Sequence, residues 1–264
     1  SPANAALSCA DVLAKGPTAP SGTYYIQPAG AADAYQVYCD MTNDGGGWTL
    51  LLAATASGTF WGNNSSNWAV AGTTGTIPAA LDATAGEYKS AAYGDLVTNT
   101  IRLCYQDATH CHDFAHGMSQ SLLSFFVNGT SYVEYSFNVN LYADTGADTA
   151  RTTYLSELGF TDETGQACLW LGINHKDPIG TSFAAFSAIG LMGDFNSGCA
   201  SSGSLNQGGT NTWLDDAACG VGLQDCYDAN GCNPGGSDNH DGSSRGVNGV
   251  DNSGDIGPWF VLGK

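Results

Sequence analysis

The chain has 264 residues, 42% of them hydrophobic, and sets 7 Lys and Arg against 25 Asp and Glu for a formal charge of -18. That length suits one large domain or two small ones. The charge excludes nucleic acid and anionic membranes as partners, because phosphate binding needs basic clusters that are absent here, and no apolar run approaches the roughly 18 residues that membrane insertion by a helix requires.

Residues 1–7 are expected to form a flexible lead-in. Cys9–Lys15 reads as a short helix closed by Gly16 and Pro17. Residues 24–26 and 34–40 alternate as strands about a Pro28-Ala29-Gly30 turn, and Trp48–Ala54 reads as a third, buried strand. Small polar residues dominate 57–86, around Trp61 and Trp68, and predict long loops. Residues 122–126 and then 132–142 suggest strands, 154–158 a helical turn, and 168–173 and 184–192 buried strands. From 194 to 255 almost nothing regular is expected, before a closing strand at 259–262. No repeat and no linker interrupts the chain, so residues 1–264 read as one domain.

Nine cysteines among 36 glycines point to an oxidising compartment and a loop-rich fold. The odd number leaves one thiol unpaired or committed to another chain. Ser1 to Ala10 lacks the features of a secretory leader, so a leader is expected to have been removed ahead of this numbering. The sequons Asn63-Asn64-Ser65, Asn64-Ser65-Ser66 and Asn128-Gly129-Thr130 agree with secretion.

The acids divide unevenly, 21 Asp to 4 Glu. Asp forms turns and gathers around hard cations. Between Asp225 and Asp255 lie seven Gly, six Asp and five Asn, with Arg245 the lone Lys or Arg. Ordering such a segment needs something other than apolar burial. Calcium takes six to eight oxygens from carboxylates, amides and backbone. The candidate ligands are Asp228, Asn230, Asp238, Asn239, His240 and Asp241, with Asp251 and Asp255 completing the site or forming another. An EF-hand is excluded, since its ligand spacing and terminal Glu are missing.

Cys104, His110, Cys111, His112 and His116 hold ligand-type side chains, but their spacing fits no standard zinc pattern. A local disulfide with exposed histidines is expected instead, free of metal. Gly242-Ser243-Ser244-Arg245-Gly246 matches the G-x-S-x-G pattern of hydrolases without the strand and helix that motif requires. No enzymatic activity is expected.

Ser8-Cys9-Ala10-Asp11-Val12, Ser21-Gly22-Thr23-Tyr24, Val37-Tyr38-Cys39-Asp40-Met41 and Asp44-Gly45-Gly46-Gly47-Trp48-Thr49-Leu50 stand in the order seen in fibrinogen-related domains. The resemblance covers about the first fifth of the chain. It implies an α+β fold, a fibrinogen C-terminal-like domain with a twisted antiparallel sheet, short helices and long disulfide- and calcium-held loops, and it implies a Cys9–Cys39 disulfide. The C-terminal half resembles the intelectins, a calcium-dependent lectin branch. By that analogy Cys168 pairs with Cys226 and Cys219 with Cys232, while Cys104 and Cys111 close a local loop. Cys199 is then left over, available to link chains into a homo-oligomer. Two departures stand out. Where intelectins carry calcium ligands after the Trp-Thr-Leu word, this chain has Ala53-Ala54-Thr55-Ala56. Between the last two cysteines it has Tyr227, Asp228, Ala229, Asn230 and Gly231.

The expected function is calcium-dependent carbohydrate binding by a secreted or extracellular lectin, through its C-terminal acidic loops. Asn230 and His240 are the polar sugar contacts and Tyr227 and Trp213 the aromatic ones, since an aromatic face packs against the apolar face of a sugar. The alternative is a calcium-stabilised structural or adhesion module that binds protein partners.

Overall fold

The structure is a computed structural model describing residues 1–55, 60–61, 65–128, 132–138, 153–154, 156–159, 168–173, 189–194, 216–221 and 258–264. Its strands, in chain order, are β1 (Gly22–Ile26), β2 (Tyr35–Asp40), β3 (Trp48–Ala54), β4 (Thr74–Gly75), β5 (Tyr88–Lys89), β6 (Thr98–Tyr105), β7 (Cys111–Gln120), β8 (Tyr132–Asn138), β9 (Cys168–Ile173), β10 (Ile189–Asp194), β11 (Asp216–Val221) and β12 (Trp259–Gly263). The α-helices are α1 (Cys9–Lys15), α2 (Ala92–Asp95) and α3 (Leu122–Val127). The chain divides into two compact units, one of residues 1–55, 66–130 and 257–264, the other of residues 56–65 and 131–256.

The first unit is built on an antiparallel sheet of order β1-β2-β3-β12-β6-β7, with β5 pairing β3 and β4 pairing β5. Every residue of β3 and β12 is buried, which explains why both read as continuous apolar runs rather than alternating ones. On one face Trp48, Leu50, Phe260, Leu262 and Cys104 cluster with Leu81 and Ala85 from the long 57–86 stretch. Leu81 and Ala85 of that stretch, with Ile77, therefore cover sheet. Lys89, 2% exposed, fastens it further by donating to the carbonyls of Asn67 and Val70, and desolvation holds its pKa below the usual lysine value.

Local chemistry explains α1. Ser8 caps it by accepting from the Asp11 N–H at 3.2 Å, Asp11 sits in the first turn, and Lys15 closes the last turn with a 2.7 Å bond to Asp11. The lead-in is docked rather than free at its end. Ala6 is buried, bridges Ile26 and exchanges backbone bonds with Tyr25 and Gln27, while the Leu7 N–H donates to Asp11.

The glycine run before β3 has a specific cause. Asp44, Gly45, Gly46 and Gly47 all take positive φ. A Cβ on Gly46 would overlap the Met41 carbonyl, and one on Gly47 would lie 2.9 Å from the Ala10 Cα. Ahead of the turn, the buried Asp40 carboxylate accepts from the Ser21 hydroxyl, from the backbone and hydroxyl of Thr42, and from the backbone and amide of Asn43.

Residues 122–126, expected as a strand, are part of helix α3. Ser121 caps it, accepting from the Ser124 N–H, and a short apolar run bears no period that separates helix from strand. The Phe126 ring lies 4.6 Å from Trp68 and 6.4 Å from Tyr93, whose hydroxyl donates to the Trp68 carbonyl.

In the second unit β11-β10-β9-β8 form an antiparallel sheet. The expected strand at 168–173 is β9. The expected strand at 184–192 is seen as β10 over 189–194, with 184–188 outside the described residues, as is the part of the 132–142 strand beyond Asn138. Strand β11 corrects the expectation that 194–255 holds almost nothing regular. Its run of small residues, Asp216-Ala-Ala-Cys-Gly-Val221, carries little β propensity and gains order from its pairing with β10. Ile173 and Ile189 face one another in register and are fully buried.

Among the described residues two disulfides are formed, Cys9–Cys39 and Cys104–Cys111, with sequence separations of 30 and 7. Chain-entropy scaling gives them about 3.6 and about 2.4 kcal/mol. Replacing Cys9 and Cys39 together by Ala should therefore lower the urea-unfolding free energy by about 1 kcal/mol more than replacing Cys104 and Cys111. A reversed order would show that native packing, not loop closure, sets their worth. Arg102 gives a second prediction. Its guanidinium, 5% exposed at the side chain, bonds Asp113 through Nε at 2.6 Å and Nη2 at 2.8 Å and Asp44 through Nη1 at 2.8 Å, 4.0 Å from the Trp48 ring. Arg102→Ala should cost about 3 kcal/mol, and Arg102→Lys should recover less than half, because an ammonium cannot make the forked contact. Loss below about 0.5 kcal/mol in Arg102→Ala would refute the clamp.

Candidate functional site

The sequence places the candidate calcium and sugar residues almost wholly in one segment, between the end of β11 at Val221 and the start of β12 at Trp259. Asp228, Asn230, Asp238, Asn239, His240, Asp241, Asp251 and Asp255 lie outside the described residues, as do Tyr227 and Trp213. So do Cys199, Cys226, Cys232 and the Ser243-Ser244 motif. What the structure describes is the frame on either side.

On the outgoing side the register sets a constraint. Cys168 lies in a cross-strand row with Asn138, Asp194 and, through Asp194, Asp216. Strand β11 starts in that row and runs away from it, so the segment leaves the sheet at the opposite end. A Cys168–Cys226 bridge would have residues 222–226 return along a strand length of about 17 Å and across two strand spacings of about 10 Å. Five residues reach about 17 Å and a disulfide spans a further 5–6 Å between Cα atoms, so the bridge demands a nearly extended return. A Cys219–Cys232 bridge makes no such demand.

On the returning side, Trp259 enters the first sheet between Ala54 of β3 and Tyr105 of β6. Its ring packs 5.0 Å from Tyr105, and the Pro258 carbonyl accepts from the Gln106 N–H at 2.8 Å. This sheet end also carries the Cys104–Cys111 disulfide and the hairpin turn between β6 and β7. In that turn Asp107 accepts from the backbone and hydroxyl of Thr109, with the His110 ring 3.1 Å away. The local disulfide expected here is present. The histidines are a correction: His110 is exposed, but His112 and His116 are buried, packed edge-on against Phe114 and Phe125. They lie at alternate positions of β7 and share its inward face, a period-2 signal that was readable in Cys111-His112-Asp113-Phe114-Ala115-His116.

Sequence reasoning missed one acid at this sheet end. Glu87, just before β5, accepts from the Thr55 N–H and hydroxyl at 3.0 and 2.9 Å through one oxygen. The other oxygen is buried with no hydrogen-bond partner among the described residues. Desolvation raises the carboxyl pKa, against the lowering effect of the Thr55 bonds. Its sequence signal was slight: it is one of 4 Glu in a chain that otherwise uses Asp. A raised folded-state pKa means that the folded state favours the protonated form. The stability this contributes is full below the ordinary glutamate value of about 4.3 and declines as pH rises through the folded value. Glu87→Gln should remove that decline, so the variant's stability relative to the parent should rise between pH 4 and pH 7 in paired urea titrations. A difference that falls with pH over this window would reverse the assignment.

With the frame in place, residues 5–75 match the family described as fibrinogen beta and gamma chains, C-terminal globular domain. The chain is 52% identical over 45 residues to fibrinogen-like protein A of Apostichopus parvimensis, a stretch covering 16% of each protein. It is 46% identical over 46 residues to the fibrinogen alpha-2 chain of Petromyzon marinus, covering 17% of this chain and 7% of that one. The matched stretches thus span a small part of these relatives' length. The family match over 5–75 runs from α1 to β4, where Cys9–Cys39, the Asp40 knot and the glycine turn lie. The fold is α+β, antiparallel sheet with few short helices, and the likeness to the fibrinogen C-terminal globular domain is carried by residues 5–75.

Proposed function

We propose that the chain is an extracellular, calcium-dependent carbohydrate-binding protein, with ion and sugar meeting in the segment between β11 and β12. The observation that carries this reading is the composition of 225–255, six Asp and five Asn among seven Gly with one basic residue, strung between two paired strands. Hard oxygen donors on glycine-rich backbone suit calcium. Asp228, Asn230, Asp238, Asn239, His240 and Asp241 form the proposed ligand set, extended by Asp251 and Asp255. A vicinal diol of a sugar replaces two calcium-bound waters there, with Asn230 and His240 as polar contacts and Tyr227 and Trp213 as aromatic ones. Likeness to fibrinogen-like proteins over 5–75 and the two formed disulfides support an extracellular binding domain; the intelectin-like pairing of Cys168, Cys219, Cys226 and Cys232 belongs to the same proposal.

Chelation is expected to lower the melting temperature and added calcium to restore it, by about 2.7 kcal/mol at 100 times the dissociation constant. Asp238→Ala and Asp241→Ala should weaken that response and abolish retention on a glycan array, while Asp33→Ala, remote in sequence, should leave both unchanged. Melting that ignores chelator removes the calcium site. Sugar binding that survives chelation moves the glycan site elsewhere. A calcium response with no glycan signal would instead favour an adhesion module with protein partners.

A further inference from the structure

We propose that Asn128 carries an N-linked glycan. Asn128-Gly129-Thr130 is an acceptor sequon, with Gly rather than Pro in the middle. The sequence alone does not distinguish it from the overlapping pair at Asn63 and Asn64, but the structure gives Asn128 a placement that a bulky, solvated group can occupy. It is the C-cap of α3, where the helix ends, with φ -83 and ψ -3. Its N–H is spent on the Ser124 carbonyl at 3.1 Å, whereas no described hydrogen bond engages its side-chain amide. The residue is exposed, so a glycan there displaces no packing among the described residues.

Its surroundings favour such a cover. Val127, the last helical residue, is 56% exposed beside it, while Phe125 and Leu122 on the same helix are fully buried. The helix therefore has an inward face already used and an outward apolar residue next to the acceptor position. A glycan rooted one residue away would shade Val127 and add solubility at that spot. In the transfer, the Asn128 amide nitrogen bonds to the anomeric carbon of a lipid-pyrophosphate-linked oligosaccharide. The bond from that carbon to the pyrophosphate oxygen breaks, the lipid pyrophosphate leaves, and the amide gives up one proton. No oxidant or reductant is involved.

The full chain would be secreted from a eukaryotic host and digested with and without peptide N-glycosidase in oxygen-18 water. The peptide containing residue 128 should appear as Asp carrying the heavy oxygen only after the enzyme. Asn128→Gln and Thr130→Ala should each abolish that one glycan's mass, and Thr130→Ser should retain it. Secreted protein with Cys9–Cys39 and Cys104–Cys111 formed, yet with an unmodified Asn128 peptide, would overturn the proposal. So would a glycan mass unchanged by both Asn128→Gln and Thr130→Ala. The peptide measurement on the parent chain requires no variant to fold.

Discussion

The Arg102 guanidinium holds together parts of the first unit that are remote in sequence. It rises from β6, is forked onto Asp113 of the neighbouring β7, reaches Asp44 in the glycine turn, and lies over Trp48 at the start of β3. From the far side of the chain, Lys264 brings its ammonium to 5.3 Å from the same indole and donates to the Gly46 carbonyl at 2.7 Å. Burial alone would disfavour the guanidinium's charge; the hydrogen bonds and charges of Asp113 and Asp44 more than offset that, so its pKa is raised. A buried cation is tolerable only when its donors are used and opposite charge is near. Asp113 meets both conditions from β7, and the glycine run adds Asp44 and Trp48 to the same side chain.

This convergence explains what the residues that carry the likeness over 5–75 are for. Ser21 and Asp40 tie β1 to the β2 exit, Cys9–Cys39 fixes α1 to β2, and the glycines set the approach of Ala10 and Met41 to the turn. All of them are framework. A likeness confined to them transmits fold and says little about ligand, since one framework can host many sites. The departure at Ala53-Ala54 makes the same point from the other side. Both alanines are fully buried in β3, and methyl groups there pack against neighbouring strands and offer no ligand oxygen.

What was legible in the sequence follows the same division. Helix α1 was legible because its cap, charges and terminating Gly-Pro are local, and β3 and β12 because central strands are continuously apolar. Strands β6 and β7 were missed: Arg102, Asp113 and two histidines interrupt their apolar pattern, and the partners that make those residues welcome inside lie on other elements. Helix α3 was misread because Leu-Leu-Ser-Phe-Phe is apolar in either periodicity, and only the Ser121 cap tips it. Glu87 was invisible as a buried acid, since its environment comes from Thr55 across the β3–β5 pairing. The candidate calcium residues, by contrast, were chosen from composition, which names the donor atoms without fixing their arrangement.

The proposed calcium and the proposed disulfides act on different terms in the energy of that segment. Bridges at Cys219–Cys232 and Cys168–Cys226 reduce the chain entropy lost on folding, but they leave its charges untouched. Between Asp225 and Asp255 six carboxylates face a single guanidinium, and drawing them into a compact loop raises their mutual repulsion. A divalent cation relieves that repulsion directly and supplies the contacts that apolar side chains would otherwise give. On this reading the bridges set where the segment can go and the ion decides whether it closes there. Under the proposed function, sugar affinity would then carry a calcium dependence, because an ion that binds only the closed segment shifts its population by mass action.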